Sequence, residues 1–342
     1  MVICYFGFYD ADYSRNRILI KGLEQSGVKV IECHTRKAGV FKYWELVLKF
    51  LKIKDKFDIM VVGYPGFQSV ILAKLLTRKP VIFDAFVSLY DSNVFDRKVY
   101  PPRSLKALRD WFLDYFSCRL ADKVIIDTNE HITYFAREFG IDKKKFFRIF
   151  VGSDDEYFRP IDSKKENNKF IVHFHGWGVP LQGVEYIIKA ARILKDEQIY
   201  FNIIGTKVKI EHEDLTLKKV HFFNYLPYKE LNNYLASADI SLGIFGKTPK
   251  AKRVIPNKIF ESLAARVPVI TAETPAIKEL LQDQENIILC QSANEQDLAD
   301  KIMMLKNNQE LRDRIAANGY NLFIEKLTPR HLGRELLNII NL

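Results

Sequence analysis

A lysine and a glutamate stand three residues apart in Ile255-Pro256-Asn257-Lys258-Ile259-Phe260-Glu261-Ser262-Leu263-Ala264-Ala265. Pro256 suits a first helical turn, where its missing N–H costs nothing. Lys258 and Glu261 are then one turn apart and share a face. A positive charge beside the free N–H groups of a helix start suits a phosphate. A carboxylate one turn later can accept hydrogen bonds from paired hydroxyls, such as those of a ribose. The spacing therefore points to a nucleoside diphosphate site.

Other segments carry residues that fit such a ligand, each with a plainer reading beside it. Phe174-His175-Gly176-Trp177-Gly178 runs on to Gln182-Gly183-Val184-Glu185 and reads as strand, glycine-bearing loop and helix start. Gly176 and Gly178 permit close backbone approach, and Gly183 lies where helix N–H groups point outward. Gly205 ends the next strand and suits a base or ribose as well as it suits a turn. The loop from Phe245 to Arg253 holds Lys247, Lys250, Lys252 and Arg253. Arg253 and Lys258, nearest the helix, are the better phosphate contacts; a solvated charge run is the alternative. Asp10 and Arg15 follow the first strand, in a position that favours a site loop. Asp84 ends the fourth strand of the first half, where a cleft-facing carboxylate or a structural cap would stand.

These residues must be carried by strands and helices in alternation. Strand-length apolar runs fall at 2–8, 28–33, 58–62, 80–83, 123–126 and 146–150. A second set falls at 170–174, 200–204, 220–222, 239–243, 267–271 and 286–289. Helical periodicity separates them, as in 109–120, 184–194 and 229–236. Two successive sets of this kind imply two doubly wound α/β domains with parallel sheets. The joint is expected within 151–168, where Gly152, Pro160 and a polar run interrupt the pattern. Ligands of such sheets lie outside the carboxyl ends of the strands, so a central cleft between two facing domains is the expected site.

At 342 residues and 48% hydrophobic content, the chain has the material for two ordinary globular domains rather than a disordered one. No apolar run approaches the ~20 residues that span a bilayer. The opening residues 1–8 read as a first strand rather than a signal peptide. The four cysteines are scattered without metal-ligand spacing, which argues for a reduced cytoplasmic setting without disulfides or zinc. Net charge is +10, with most of the excess before residue 160. That balance fits an anionic membrane surface, an acidic ligand or a scattered solvated surface. Residues 41–52 mix Trp, Tyr and Phe with lysines at helical spacing, and 97–111 adds Lys98, Arg103, Lys106 and Arg109. Such segments suit a membrane interface or an amphipathic helix facing a core.

Taken in order, the motifs resemble the GT-B glycosyltransferases of the large retaining family 4, the glycosyl transferases group 1. Gly176 to Gln182-Gly183 resembles the opening of that family's donor domain. Gly152-x-Asp154-x-x-x-Phe158-x-Pro160 resembles its interdomain segment. Ala238-Asp239-Ile240, and Glu261-Ser262-Leu263-Ala264 running into Pro268-Val269-Ile270, resemble its donor-site core. The resemblance covers the whole chain and is strongest over 150–340. Two departures stand out. The first of the family's paired glutamates is Arg253 here, and the cation before the donor-domain glycine is Gln182.

The resemblance implies a GT-B fold of two Rossmann-like domains facing a central cleft. Residues 1–155 would bind the acceptor and 156–325 the nucleotide-sugar donor; 326–342 would form a helix packing back on the first domain. It implies a hexosyltransferase that moves a sugar, with retention, onto a glycan or lipid-linked saccharide. Gly176, Gln182, Gly183, Gly205, Asn257, Lys258 and Glu261 would bind the donor, with Glu261 on the ribose. Asp84, Arg253 and Lys258 would serve catalysis, and Asp10 and Arg15 the acceptor side. No metal or other cofactor and no nucleic acid is expected. The setting would be cytoplasmic, with peripheral contact at the inner membrane face. An epimerase or hydrolase of the same fold, or a non-catalytic sugar-nucleotide-binding partner, are the alternatives.

Overall fold

The computed structural model describes residues 1–162, 169–214 and 216–342. The chain forms two units, Met1–Gly152 with Thr328–Leu342, and Ser153–Leu327. The polar run 163–168, read above as part of the joint, lies outside the described residues.

The first unit alternates β1 (Val2–Gly7), α1 (Ser14–Gln25), β2 (Lys29–His34), α2 (Phe41–Leu51), β3 (Ile59–Val62), α3 (Phe67–Leu76), β4 (Val81–Phe86), α4 (Leu105–Leu120), β5 (Lys123–Ile126), α5 (Asn129–Phe139) and β6 (Phe146–Arg148). The strands form one parallel sheet in the order β2-β1-β3-β4-β5-β6. Helices cover both faces, so the strands read as continuous apolar runs rather than alternating ones. β4 is buried along its whole length.

The crossover rule assigns the helices to layers. The connections through α2, α3 and α4 all advance from the β2 edge toward β6, so right-handed crossovers place these helices on one face. The connection through α1 runs the other way and places it on the opposite face. α4 begins at Leu105, four residues before the run read from the sequence, because Ser104 Oγ accepts from the Ala107 N–H at 3.2 Å and caps the turn.

The second unit repeats the plan with β7 (Phe170–His175), α6 (Val184–Ile193), β8 (Ile199–Ile204), α7 (Thr206–His212), β9 (Val220–Phe223), α8 (Tyr228–Ala236), β10 (Ile240–Leu242), α9 (Asn257–Ala264), β11 (Val269–Ala272), α10 (Pro275–Lys278), β12 (Ile288–Cys290), α11 (Glu295–Asn307) and α12 (Gln309–Lys326). The parallel order is β12-β11-β10-β7-β8-β9. The chain winds outward in one direction from β7 and in the other from β10. The switch point between those two strands is where sheets of this order hold dinucleotides. Phe174, Phe201, Ile203, Leu242 and Ile270 fill the core beneath it.

The chain then returns to the first unit as α13 (Pro329–Asn341), which packs along α1. The two helices cross at Gly22 and Gly333. A Cβ on Gly22 would collide with the Pro329 carbonyl, and one on Gly333 with the Gly22 backbone. Only glycine at both positions permits this approach. Each unit is therefore a Rossmann-like α/β sandwich.

Candidate functional site

The switch point of the second sheet collects most of the residues singled out by the sequence. At the end of β7, His175 leads into Gly176. The Gly176 N–H donates to the Ile204 carbonyl at 2.9 Å, which ties the loop to the end of β8. Gly205 follows β8 and approaches the Gly176 carbonyl so closely that a Cβ there would collide with it. The loop after β7 folds back on Gln182, whose Oε1 accepts from the Gly178 N–H at 2.9 Å. The Gln182 side chain is thus a brace inside the loop, where a phosphate-facing side chain was expected. Its carbonyl accepts from the Phe245 N–H at 3.1 Å and joins the segment after β10 to the same loop.

Gly183 caps α6 with φ at +61°. A Cβ there would stand 2.5 Å from the Gly246 nitrogen and 2.6 Å from the Phe245 carbonyl carbon. Positive φ and close approach together require glycine at this position. Among the described residues no side chain caps α6, so its first-turn N–H groups form an anion-favouring end.

α9 carries the Lys258–Glu261 pair. Pro256 stands at its N-cap, one position earlier than the first-turn placement read from the sequence, and Asn257 opens the helix half-buried. Glu261 is buried and held on both oxygens. Oε2 lies 2.8 Å from His175 Nε2, and Oε1 accepts from the Tyr228 hydroxyl at 3.2 Å. His175 Nδ1 lies 2.9 Å from Nε2 of the fully buried His173. Burial, followed by the charges of His175 and Lys258, holds His173 well below the usual imidazole range. It is therefore neutral, and His175 bridges it to Glu261, with the His175 Nε2–H donating to the carboxylate. A carboxylate offers about four acceptor positions, so two remain for hydroxyls of a ligand.

The ring of Tyr228 is fixed edge-on by Phe158 at 4.8 Å and by Tyr157 at 5.5 Å. These residues come from the segment that enters the second unit. The sequence reading gave His173, His175 and Tyr228 no functional role. A signal existed for the histidines: two polar residues at alternate positions of an otherwise apolar buried strand share one face.

Lys258 is buried beside this carboxylate. Its Nζ stands 4.0 Å from the centre of the Phe174 ring and has no hydrogen-bond partner among the described residues. Burial brings its ammonium down to about 7, against the pull of Glu261. An unpartnered buried cation at a switch point is a place for an anion to bind. Arg253 closes the turn Pro249–Lys252 just before α9 and is half-buried.

The lowered value has a consequence for stability. Between about pH 7 and the ordinary lysine range the unfolded chain binds the proton that the folded chain has released, so stability rises with pH there. Below about 7 the folded state carries the full cost of a buried charge. Replacing Lys258 with Met is expected to stabilise the free protein by about 1–4 kcal/mol near pH 6 and by less near pH 9. Urea denaturation at both pH values measures it; a variant less stable than the parent near pH 6 contradicts the reading.

The first-unit residues are arranged differently from expectation. Arg15 stands in the first turn of α1 rather than in the preceding loop, and Asp84 lies within β4. Both side chains are 0% exposed and close on each other. Arg15 Nε donates to Asp84 Oδ2 at 2.9 Å and Nη2 to Oδ1 at 3.1 Å, while Nη1 donates to the Ile149 and Phe150 carbonyls at 3.0 and 2.9 Å. Burial pushes the Asp84 carboxyl up and the guanidinium pulls it back. Neither group is open to an acceptor: the pair ties α1 and β4 to the chain after β6. Asp10 does lie in the loop after β1, exposed and paired with Arg36 at 2.5 Å.

Residues 154–322 match the family described as Glycosyl transferases group 1. Over that span, just under half of the chain, the sequence is similar to the glycosyl transferases group 1. The matched family segment holds the whole Gly176–Glu261 constellation. A protein of Methanocaldococcus jannaschii described as an uncharacterized glycosyltransferase is 27% identical over 151 residues, covering 43% of this chain and 41% of that protein. The matched segment thus spans about two fifths of that relative. Among solved structures, HepE of Anabaena in complex with UDP and glucose has a TM-score of 0.71 at 17% identity, over 100% of this chain and 99% of that one. Sucrose-phosphate synthase of Thermosynechococcus elongatus has a TM-score of 0.77 at 13% identity, over 100% and 98%. These likenesses place the two-domain GT-B fold over both units of the chain.

Proposed function

We propose that this chain is a retaining, family 4 hexosyltransferase that moves a sugar from a nucleotide-sugar to a glycan or lipid-linked saccharide. The observation that carries the reading is the buried Glu261, oriented by His175 and Tyr228 beside the unpartnered ammonium of Lys258. UDP is the nucleotide to test first, because the Anabaena neighbour is described with UDP and glucose bound.

In this mechanism Glu261 holds the ribose hydroxyls. Lys258, Arg253 and the N–H groups at the start of α6 take up the negative charge that develops on the departing diphosphate. No metal or other cofactor is needed for that neutralisation. The acceptor approaches the face from which the diphosphate leaves. The leaving phosphate oxygen takes the acceptor hydroxyl proton, the C–O bond to phosphate breaks, and the new glycosidic bond forms on the same face, so configuration is retained.

Binding to the native state raises the melting temperature with affinity. UDP and UDP-sugars are expected to raise it, and mass spectrometry is expected to show sugar leaving the donor only when an acceptor is present. No shift with any nucleoside diphosphate overturns the reading. Sugar loss without acceptor replaces transfer by hydrolysis, and nucleotide binding with no sugar loss replaces it by a binding role. Because a bound diphosphate raises the Lys258 ammonium again, UDP affinity is expected to fall by up to ~tenfold per pH unit above about 7.

A further inference from the structure

The outer face of the first unit's α2–α3–α4 layer is built against the usual rule for surface helices. On α2, Leu46 and Phe50 are buried, whereas Phe41, Trp44, Leu48 and Leu51 form an exposed stripe at three- and four-residue spacing, Phe41 at 74% and Trp44 at 68%. On α4, polar side chains take inner positions beside Ala107 and Cys118 while a second apolar stripe faces out. Its inner face buries Asp110, Asp114 and Ser117. Its outer face exposes Leu105, Leu108, Phe112, Phe116 and Leu120, with Leu105 at 86%.

The buried carboxylates of α4 are well held. Asp114 accepts from Ser88 Oγ at 2.6 Å and from the Tyr90 N–H at 2.9 Å, and Asp110 accepts from Asn93 Nδ2 at 2.7 Å. The polar residues thus have partners inside the fold, while the apolar ones stay exposed among the described residues. The two stripes belong to one layer. Tyr43 of α2 donates to Gln68 of α3 at 2.6 Å, and α3 packs on α4. α3 itself adds Leu75, exposed at 80%. On the other face α1 is covered by α13, and α1 exposes no large apolar side chain between Ser14 and Gln25.

Two exposed apolar stripes on one helix layer mark an interaction surface, and their charge selects the partner. With Asp110 and Asp114 buried, the charges that α4 and its approach expose are basic, among them Lys98, Arg103, Lys106 and Arg119. α2 runs into exposed Lys52, Lys54 and Lys56. Apolar side chains rimmed by lysine and arginine match an interface of acyl chains under anionic headgroups. A second copy of the same face would set these basic rims against each other.

We propose that the α2–α3–α4 face of the first unit seats on an anionic lipid bilayer, with Phe41, Trp44, Leu108 and Phe112 entering the headgroup–acyl boundary. The full chain is incubated with phosphatidylcholine vesicles, with or without phosphatidylglycerol, and sedimented. It is expected to pellet with the anionic vesicles and to be released by salt. The double variant Phe41→Ser/Trp44→Ser is expected to lower partitioning by about tenfold or more at unchanged melting temperature, since both side chains are already mostly in water. Absence from the anionic pellet overturns the proposal, and so does equal pelleting by the variant. A solution dimer that the two substitutions dissociate also overturns it, by giving the face to a second copy. Vesicle binding reads the first unit and UDP binding the second, so either reading can fail while the other stands.

Discussion

Glu261→Ala is expected to weaken UDP binding by about a hundredfold or more, because each hydrogen bond to a charged group contributes ~1.5–3 kcal/mol and the ribose offers two. The same change leaves the Tyr228 hydroxyl and His175 Nε2 without their buried acceptor, which costs stability by about 1–3 kcal/mol. Loss of binding in Glu261→Ala alone could therefore reflect local collapse, and Glu261→Gln separates the effects. The amide oxygen still accepts from Tyr228 or from a ligand hydroxyl, but the amide nitrogen faces the donating Nε2–H of His175 unless that ring changes tautomer. Glu261→Gln is thus expected to fold with near-parental stability and to bind UDP about tenfold more weakly. Calorimetric titration of UDP into both variants, with urea denaturation alongside, decides. Parental affinity in Glu261→Ala removes the ribose role and, with it, the proposed donor site.

Much of this arrangement was legible in the residues. All twelve strand-length runs are strands, because a parallel sheet covered on both faces leaves an uninterrupted apolar signature. The Lys258–Glu261 face was legible because three-residue spacing on a helix is local information. The partners of those residues were not. Tyr228 lies 33 residues and His175 86 residues from Glu261, and they meet it only because β7 and β10 are neighbours at the switch point. Strand order carries no local signature. The histidines left a weak mark, two polar side chains at alternate positions of β7, but that pattern does not distinguish a buried relay from a half-exposed strand. The brace formed by Gln182 was not legible for a related reason. A glutamine before a helix start fits a ligand contact or a loop brace equally well until the Gly178 N–H is found 2.9 Å away. For α4 the sequence left open a membrane interface or a core-facing helix, because an amphipathic pattern does not say which face is buried; the fold buries Asp110, Asp114 and Ser117.

The first unit supplies the largest expected effect on stability. In the sequence Arg15 reads as an acceptor-side loop residue, and Asp84 as a cleft-facing catalytic carboxylate or a structural cap. The structure closes them on each other across 69 residues of sequence with no exposure. Removing one partner strands the other as a buried, uncompensated charge. Arg15→Leu and Asp84→Leu are each expected to cost about 3–5 kcal/mol. Arg15→Leu should be the worse, because it also frees the Ile149 and Phe150 carbonyls. Replacing both is expected to cost less than the sum of the two, since the second change removes the orphan left by the first. Urea denaturation of the three variants gives the coupling directly. Strict additivity would mean that each group is separately neutralised, by water or by a proton. Should instead Asp84→Asn leave stability near parental while abolishing sugar transfer, the carboxylate would return to the reaction. The bidentate contact and the four donated hydrogen bonds of the guanidinium argue for a strut that holds α1 and β4 to the chain after β6.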